Sequence, residues 1–397
     1  MYKPAIEGGT PVRTEFLPFS LPQLGKAEED EVIDTLRSGW MTVGPKTHMF
    51  EETFREYVGC RYAVAVNSCT SALHLALAGL GIGFGDEVIT TPVTFVATAN
   101  VIIHTGAKPV FADIDPHTLN IDPAEVRKKI TEKTRAIIPV HMAGQPCDMD
   151  SIWAIAEDHG LHVIEDAAHA IGAEYKGRKV GAGSKAVCFS FYPNKNMTTS
   201  EGGMLTTGDE ALADKVRVMS LHGMSKGAWQ RFAPEGDVHW DVLYPGYKYN
   251  MNDVQASLGL HQLKKVDEFN SIRNVYAGIY DKAFEGCAEL SLPSVINGIK
   301  HAHHLYIIML ELDRLKLSRD EFIKALRAEN IGTGVHFRSL HLQTYYRETY
   351  NYKPDDFPAA NEISQKIISL PLYPRMVEDD LYGVIEGVKK ISAYYRK

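Results

Sequence analysis

The sequence has little of what marks secreted, membrane-spanning or nucleic-acid-binding proteins. Its 397 residues include only five cysteines, with no CxxC pair among them, which indicates free thiols in a reducing compartment. No apolar run is long enough to cross a bilayer, and the N-terminal stretch MYKPAIEGGTPVRTEFLPFS lacks the apolar segment of a signal peptide. The formal net charge of −8 argues against non-specific binding of nucleic acid. We therefore expect a cytoplasmic protein that has neither nucleic acid nor membrane as a partner.

Short apolar runs alternate with helical patterns between residues 62 and about 205. Most of these runs are unbroken Val, Ile and Ala, as in strands that are buried on both faces. The alternation predicts an α/β fold with a mostly parallel seven-stranded sheet and helices on both sides. The seven runs are YAVAV, EVIT, KPVFADI, RAIIPVH, HVIED, AVCFSF and GMLTT.

A long helical pattern over residues 252–280 predicts a link between two domains. It is followed by a strand pattern, HHLYIIMLEL, a helical pattern, SRDEFIKALRAEN, the segment GTGVHFRSLH and a closing helix from about residue 378. These elements predict a small C-terminal α+β domain. We place it at residues 266–397, after a large domain at residues 1–265 that includes an N-terminal arm.

The stretch SFYPNKNMTTSEGG places Lys195 between an apolar run and a Ser/Thr/Gly-rich turn. A free lysine is unprotonated in only about one molecule in 2,500 at neutral pH, so most loop lysines are simply solvated. Two other stretches favour chemistry here: Asp166 ends HVIED 29 positions earlier, and NSCTS (Asn67–Ser71) opens a helical pattern. A lysine for the aldehyde, a carboxylate for the pyridine nitrogen and a helix N-terminus for the phosphate together predict a site for pyridoxal phosphate.

Four further side chains have both a structural and a functional interpretation. Phe95 either belongs to the core or stacks on the cofactor ring. His169, three residues after Asp166, is either a structural histidine or a contact of the ring. His336 and Arg338 lie in GVHFRSLH, which is either an exposed strand edge or a clamp for a carboxylate or phosphate.

Two patterns suggest chemistry that we do not expect. His301, His303 and His304 resemble a metal cluster, but they begin a strand-like run without cysteine or carboxylate at ligand spacing, so we predict no metal. GIGFGD (residues 81–86) contains Gly-x-Gly-x-Gly, but it follows a helical pattern and precedes a strand pattern, whereas a dinucleotide fingerprint needs the reverse. A Rossmann oxidoreductase is therefore disfavoured.

The stretches SFYPNKNMTTSEGG, IEDAAHAIG, NSCTSALH and PGYKYNMNDVQAS resemble the DegT/DnrJ/EryC1/StrS family of fold-type I nucleotide-sugar aminotransferases. The resemblance covers nearly the whole chain in unbroken order. It implies pyridoxal 5'-phosphate as cofactor and a homodimer with shared active sites. It also implies ping-pong transfer of an amino group from glutamate, which leaves as 2-oxoglutarate, to the 4-keto carbon of a nucleotide-linked sugar.

The resemblance also implies roles for single residues. Lys195 is the Schiff-base lysine, and relatives that are sugar dehydratases have histidine there, so the lysine favours transamination. Asp166 is the partner of the pyridine nitrogen. The partner subunit supplies either Lys248 or Asn250 to the phosphate. The other implied cofactor-binding residues are Thr70, Ser71, Phe95, His169 and Ser190, and the implied substrate-binding residues are Trp40, His336 and Arg338.

The stretches LRSGWMTVGPK, GTGVHFRSLHLQTYYRETY and SLPLYP narrow the expected sugar. They are similar to family members that act on UDP-4-keto-L-arabinose in the lipid A modification of lipopolysaccharide. The arm IEGGTPVR is more like other members, which keeps a second interpretation open: another UDP-, GDP- or dTDP-linked ketosugar, such as a 4-keto-6-deoxyhexose. A third alternative is a pyridoxal-phosphate-binding module without catalysis.

Overall fold

The central sheet of the computed structural model, which describes residues 3–225 and 239–397, contains all seven predicted runs. The apolar runs fold as strands because their Val, Ile and Ala side chains are buried on both faces of the sheet. The strands are β1 (Tyr62–Val66), β2 (Glu87–Thr90), β3 (Lys108–Phe111), β4 (Thr134–Ile138), β5 (His162–Asp166), β6 (Glu174–Tyr175), β7 (Arg178–Lys179), β8 (Ala186–Ser190), β9 (Gly203–Thr207), β10 (Leu290–Ser291), β11 (Ile299–Lys300), β12 (Tyr306–Leu310) and β13 (Ile367–Leu370).

The strand order in the large sheet is β1-β9-β8-β5-β4-β2-β3. Strands β3, β2, β4, β5 and β8 pair in parallel, and β9 runs antiparallel to both of its neighbours. The prediction of a mostly parallel seven-stranded sheet in an α/β fold is therefore confirmed. Two three-stranded sheets accompany it, β10-β12-β13 and β11-β6-β7.

Several helices begin or end at residues with clear capping chemistry. Ser68 caps one helix by accepting a hydrogen bond from the Ser71 amide at 3.1 Å, and Gly39 ends another in the left-handed conformation, with φ 75°. In the part of the chain that the structure describes, no helix combines the length and apolar character that a membrane span requires. The α-helices are Lys26–Ser38, Pro45–Val58, Cys69–Gly79, Val96–His104, Pro123–Lys129, Met149–His159, Glu210–Ser220, Asp253–Gln262, Val266–Phe284, Arg319–Ala328, Thr344–Tyr350, Pro358–Lys366 and Glu378–Tyr394.

The predicted linking helix is interrupted. A 3-10 turn at Leu263–Lys265 separates Asp253–Gln262 from Val266–Phe284, and the second helix extends four residues beyond the predicted end at residue 280. C-terminal to it, β12, β13 and the last helix share a hydrophobic core, to which Leu17 of the N-terminal arm also belongs. The division into residues 1–265 and 266–397 stays a prediction.

Candidate active site

The carboxyl ends of the parallel strands surround a cavity of about 600 Å³. Such ends are the usual place for a ligand in an open α/β sheet. Asp166 is the last residue of β5, and Lys195 lies in the loop after the neighbouring strand β8. Seven of the predicted residues line this inner cavity: Thr70, Phe95, Asp166, His169, Ser190, Lys195 and His336.

Asp166 is a buried carboxylate that two hydrogen bonds hold in place. Its Oδ2 accepts from the Thr98 hydroxyl at 2.8 Å, and its Oδ1 accepts from the Ala168 amide at 3.1 Å. Burial raises the pKa of the Asp166 carboxyl, while the Thr98 hydroxyl and the charge of Lys195 act in the opposite direction. The site therefore favours a ligand that brings a positive charge to this carboxylate.

The pKa of the Lys195 amine is shifted in the opposite direction to that of the Asp166 carboxyl. Burial lowers the pKa of its amine to about 8, although Asp166 opposes the shift. With that pKa about one molecule in ten has a neutral amine at pH 7, compared with about one in 2,500 for a free lysine. A neutral amine is what attack on an aldehyde and abstraction of a proton both require.

The histidines around the cavity are neutral. Burial holds the pKa of His169 well below its usual range and lowers that of His336 to about 4, and the charge of Lys195 contributes to both shifts. His169 Nδ1 is buried and has no hydrogen-bond partner among the described residues. His336 Nδ1 lies 2.9 Å from the Ser369 hydroxyl.

The N-terminus of the helix Cys69–Gly79 points its first turn at the same cavity, with Ser68 and Thr70 in the wall. The positive end of a helix and free hydroxyls suit a phosphate. Ser71 is only 5% exposed, and its hydroxyl donates to Asn67 Oδ1 at 2.6 Å. Gly203 allows strand β9 to approach this turn, because a Cβ there would lie 2.5 Å from the carbonyl carbon of Ser68.

A second, outer cavity of about 900 Å³ adjoins the first. The two cavities share Thr94, Phe95, Val335 and Phe337 as wall residues. Phe95 is 58% exposed between them, so it is not a core residue. The polar side chains of the outer cavity include Asn100, His104, Arg338, Gln343 and Tyr345. The segment around His336 and Arg338 forms a turn in place of the strand edge considered from the sequence.

The other five predicted residues do not line the inner cavity: Ser71, described above, and Arg338, Trp40, Lys248 and Asn250. Arg338 lines only the outer one, where Nη2 approaches the Leu342 carbonyl at 3.5 Å. Trp40 Nε1 donates to the Val43 carbonyl at 3.0 Å, in the loop before the second helix. Lys248 and Asn250 bond to each other and flank Tyr249, whose carbonyl accepts from the Asn67 amide at 2.7 Å. These two residues therefore lie beside the helix-capping turn without reaching the cavity of their own chain.

Two residues of the site were missed from the sequence. Thr98 is fully buried behind the cavity wall and contacts Asp166 from the helix Val96–His104, 68 positions away in the chain, and His304 lies in the inner wall. His304 was considered only as part of a metal cluster. Among residues 3–225 and 239–397, no three His, Cys, Asp or Glu side chains are grouped as metal ligands.

The fold and the cavity together define an aminotransferase site that uses pyridoxal phosphate. The residues fit that group: a lysine amine with a low pKa, a buried carboxylate in need of a cation, a His169 Nδ1 without a partner among the described residues, and a helix N-terminus that carries the exposed Thr70. Comparison with known proteins agrees. The chain belongs to the DegT/DnrJ/EryC1/StrS aminotransferase family, whose sequence model matches residues 22–389. It is a pyridoxal-phosphate-dependent aminotransferase.

Three known proteins illustrate how similar this chain is to other members of the family. The spore coat polysaccharide biosynthesis protein SpsC of Bacillus subtilis (strain 168) is 53% identical over 380 residues, which cover 96% of this chain and 98% of that protein. The PLP form of Spr1654 from Streptococcus pneumoniae is 34% identical with a TM-score of 0.88, and the match covers 96% of this chain and 99% of that one. Helicobacter pylori PseC, an aminotransferase involved in the biosynthesis of pseudoaminic acid, is 31% identical with a TM-score of 0.88, and the match covers 96% of this chain and 100% of that one.

Proposed function

We propose that this sugar aminotransferase moves the amino group of glutamate to the 4-keto carbon of a nucleotide-linked sugar. The observation that carries the proposal is the pair of adjoining cavities. The inner one holds a lysine and a carboxylate with opposite pKa shifts, and the outer one is larger, with several polar side chains set in a mainly apolar wall. The inner cavity fits a cofactor, and the outer one offers room for a sugar joined to a nucleotide.

Lys195 does the proton chemistry in this proposal. Pyridoxal phosphate supplies the electron sink on which both halves of the reaction depend. Lys195 Nζ would take the proton from Cα of glutamate in the first half of the reaction, and in the second half it would deliver a proton to C4 of the sugar. Asp166 would hold the pyridine nitrogen of the cofactor in its charged form. The neutral His169 leaves the nearby lysine free to change charge without a competing cation.

For the sugar, we propose UDP-4-keto-L-arabinose first and a 4-keto-6-deoxyhexose second. The pentose rests on the similarity of residues 332–350 to members that use it, and a role in lipid A and lipopolysaccharide would follow from that sugar. The second candidate rests on the N-terminal arm IEGGTPVR, which is more like other family members. The volume of the outer cavity, about 900 Å³, has room for either sugar. Size alone discriminates by only about 10- to 200-fold per missing carbon.

A panel of UDP-, GDP- and dTDP-linked 4-ketosugars, each assayed with glutamate, tests this proposal. We expect the highest kcat/KM for UDP-4-keto-L-arabinose. A clearly higher value for a 4-ketohexose would overturn the pentose but leave the aminotransferase intact. Absence of amino transfer to every member, with the cofactor bound, would overturn the sugar assignment as a whole.

Arg338 is the proposed anion contact in the outer cavity. Arg338→Ala should raise KM for one substrate strongly, and measuring the two half-reactions separately identifies whether glutamate or the sugar nucleotide is affected. Arg347→Ala is the matched control, because Arg347 is exposed and bonds only to Glu348. Equal KM values in both variants would remove Arg338 from the site.

We also propose a homodimer in which Lys248 or Asn250 of the partner subunit completes the phosphate site. Their position outside the cavity of their own chain, beside the turn at Asn67, supports this arrangement. A cytoplasmic location is part of the proposal and is supported by five free cysteines.

A further inference from the structure

A buried network of amides and histidines lies directly behind Lys195. Asn196, the next residue, is 3% exposed, and its Nδ2 donates to Asn270 Oδ1 at 2.7 Å and to the Ala302 carbonyl at 2.8 Å. Its Oδ1 lies 3.1 Å from His304 Nδ1. Asn270 in turn donates to the Ile171 carbonyl at 2.9 Å.

These contacts determine the tautomer of His304. A backbone carbonyl can only accept, so the carbonyl of Ala302 fixes the nitrogen of Asn196 on its side and the oxygen on the side of His304. The oxygen needs a donor, so His304 Nδ1 carries the proton. Burial and the charge of neighbouring groups hold the pKa of His304 well below its usual range. A neutral ring with a protonated Nδ1 leaves Nε2 as an acceptor.

The backbone of His304 is held by hydrogen bonds on both sides. The His304 amide donates to the Ala143 carbonyl at 2.9 Å, and the His304 carbonyl accepts from the buried Arg273 side chain at 3.3 Å. The ring centroids of His304 and His169 are 4.3 Å apart. His304 therefore contacts both the residue next to Lys195 and the histidine in the cavity wall.

We propose that His304 is a positioning residue for transamination, which holds the Lys195 loop through Asn196 and supports His169 from behind. The proposal rests on the proposed role of Lys195 and goes beyond it. In this proposal His304 acts by donating a hydrogen bond from Nδ1 to Asn196, and its Nε2 lone pair has no role.

Three substitutions of His304 distinguish the role of Nδ1 from that of Nε2. The amide nitrogen of asparagine falls near Nδ1 of histidine, that of glutamine falls near Nε2, and phenylalanine keeps the ring but neither nitrogen. We expect His304→Asn to keep the most kcat, and His304→Gln and His304→Phe to lose about 10- to 100-fold, since a displacement of about 1 Å at a reacting group costs this much. KM for glutamate should change less than threefold in all of them.

His341→Phe is the matched control. His341 is also fully buried and bonds to Ser339 through Nδ1, but it does not line the inner cavity. We expect its kcat to stay near that of the unmodified enzyme. Equal losses for phenylalanine at both positions would overturn the proposal, because they would reflect general damage to the fold. A glutamine variant more active than the asparagine variant would also overturn it, because Nε2 would then be the working atom.

A measurement on the unmodified apoenzyme keeps the proposal testable if variants misfold. In the 15N NMR spectrum of protein labelled with 15N-histidine, the signal of His304 is the one that disappears in His304→Asn. We expect this signal to show a neutral ring that is protonated on Nδ1 down to pH 6. A ring protonated on Nε2 would overturn the inference. This result is independent of turnover, so failure of the Lys195 assignment, seen as activity in Lys195→Ala, remains distinguishable from failure of the His304 assignment.

Discussion

Thr98→Val removes the hydroxyl that holds the carboxylate of Asp166. The hydroxyl has one proton and two acceptors, Asp166 Oδ2 at 2.8 Å and the Phe95 carbonyl at 3.2 Å. The carboxylate is the nearer and the charged acceptor, so it takes the proton, and the Thr94 hydroxyl at 2.8 Å donates to Thr98. A hydrogen bond to a charged group contributes about 1.5–3 kcal/mol. Its loss should therefore raise the pKa of the Asp166 carboxyl further above its ordinary value.

The sign of the pH effect follows from the direction of the shift. Because the folded-state pKa of Asp166 is raised, its contribution to stability is fully present below the ordinary value of 3.8 and is lost as pH rises through the folded value. The substitution enlarges that loss. The destabilisation should therefore be larger at pH 8 than at pH 5, because a larger fraction of the carboxyl is ionised at the higher pH.

Urea unfolding of the apoenzyme at pH 5 and pH 8, at one protein concentration, measures this difference. Thr105→Val is the control, since the Thr105 hydroxyl bonds only to a carbonyl of its own helix, that of Ile102 at 2.8 Å. We expect Thr98→Val to lose about 1.5–3 kcal/mol more than the control at pH 8. The reasoning is refuted if the two variants unfold alike at pH 8, or if the loss in Thr98→Val does not grow with pH.

Three further predictions concern the proposed roles. Lys195→Ala should lose turnover but still bind pyridoxal phosphate non-covalently. In the unmodified enzyme, borohydride reduction followed by peptide mapping should label Lys195. A label on another lysine would show that the assignment of Lys195 is wrong. Asp166→Asn should fold but lose most activity, since a neutral side chain no longer favours the charged pyridine nitrogen; turnover near that of the unmodified enzyme would mean that another group does so. Mixing Lys195→Ala with a variant changed at both Lys248 and Asn250 should restore some activity in hybrid dimers, and confirmed hybrids without activity would contradict a shared site.

The fold was largely predictable because its signals are local. Most strands of the main sheet carry unbroken apolar runs, and the order and spacing of Asp166 and Lys195 already suggested a shared site. The structure adds that β5 and β8 are parallel neighbours, so the two residues follow strands that end at the same edge of the sheet. The sheet β11-β6-β7 had no such signal, since strands of two residues are too short for any periodicity. The break at Leu263–Lys265 was missed for a related reason: a 3-10 turn between two helices hardly disturbs a helical pattern.

The residues that support Asp166 and the Lys195 loop from behind could not be predicted in the same way. Thr98 reaches Asp166 across 68 positions, and His304 reaches Asn196 across 108, so no local spacing connects them. Ser71 was expected at the phosphate, and its hydroxyl bonds to Asn67. Such contacts depend on how helices and loops pack, which the pattern of one sequence does not specify.

The narrow boundary between the two cavities has a consequence for redesign. Only Thr94, Phe95, Val335 and Phe337 belong to both walls. A substitution confined to the outer wall, for example at Gln343, leaves every inner-wall side chain in place. Under the proposed function, substrate range and cofactor chemistry are therefore separable by mutagenesis. Libraries aimed at new acceptors should vary the outer wall and leave the four shared positions unchanged.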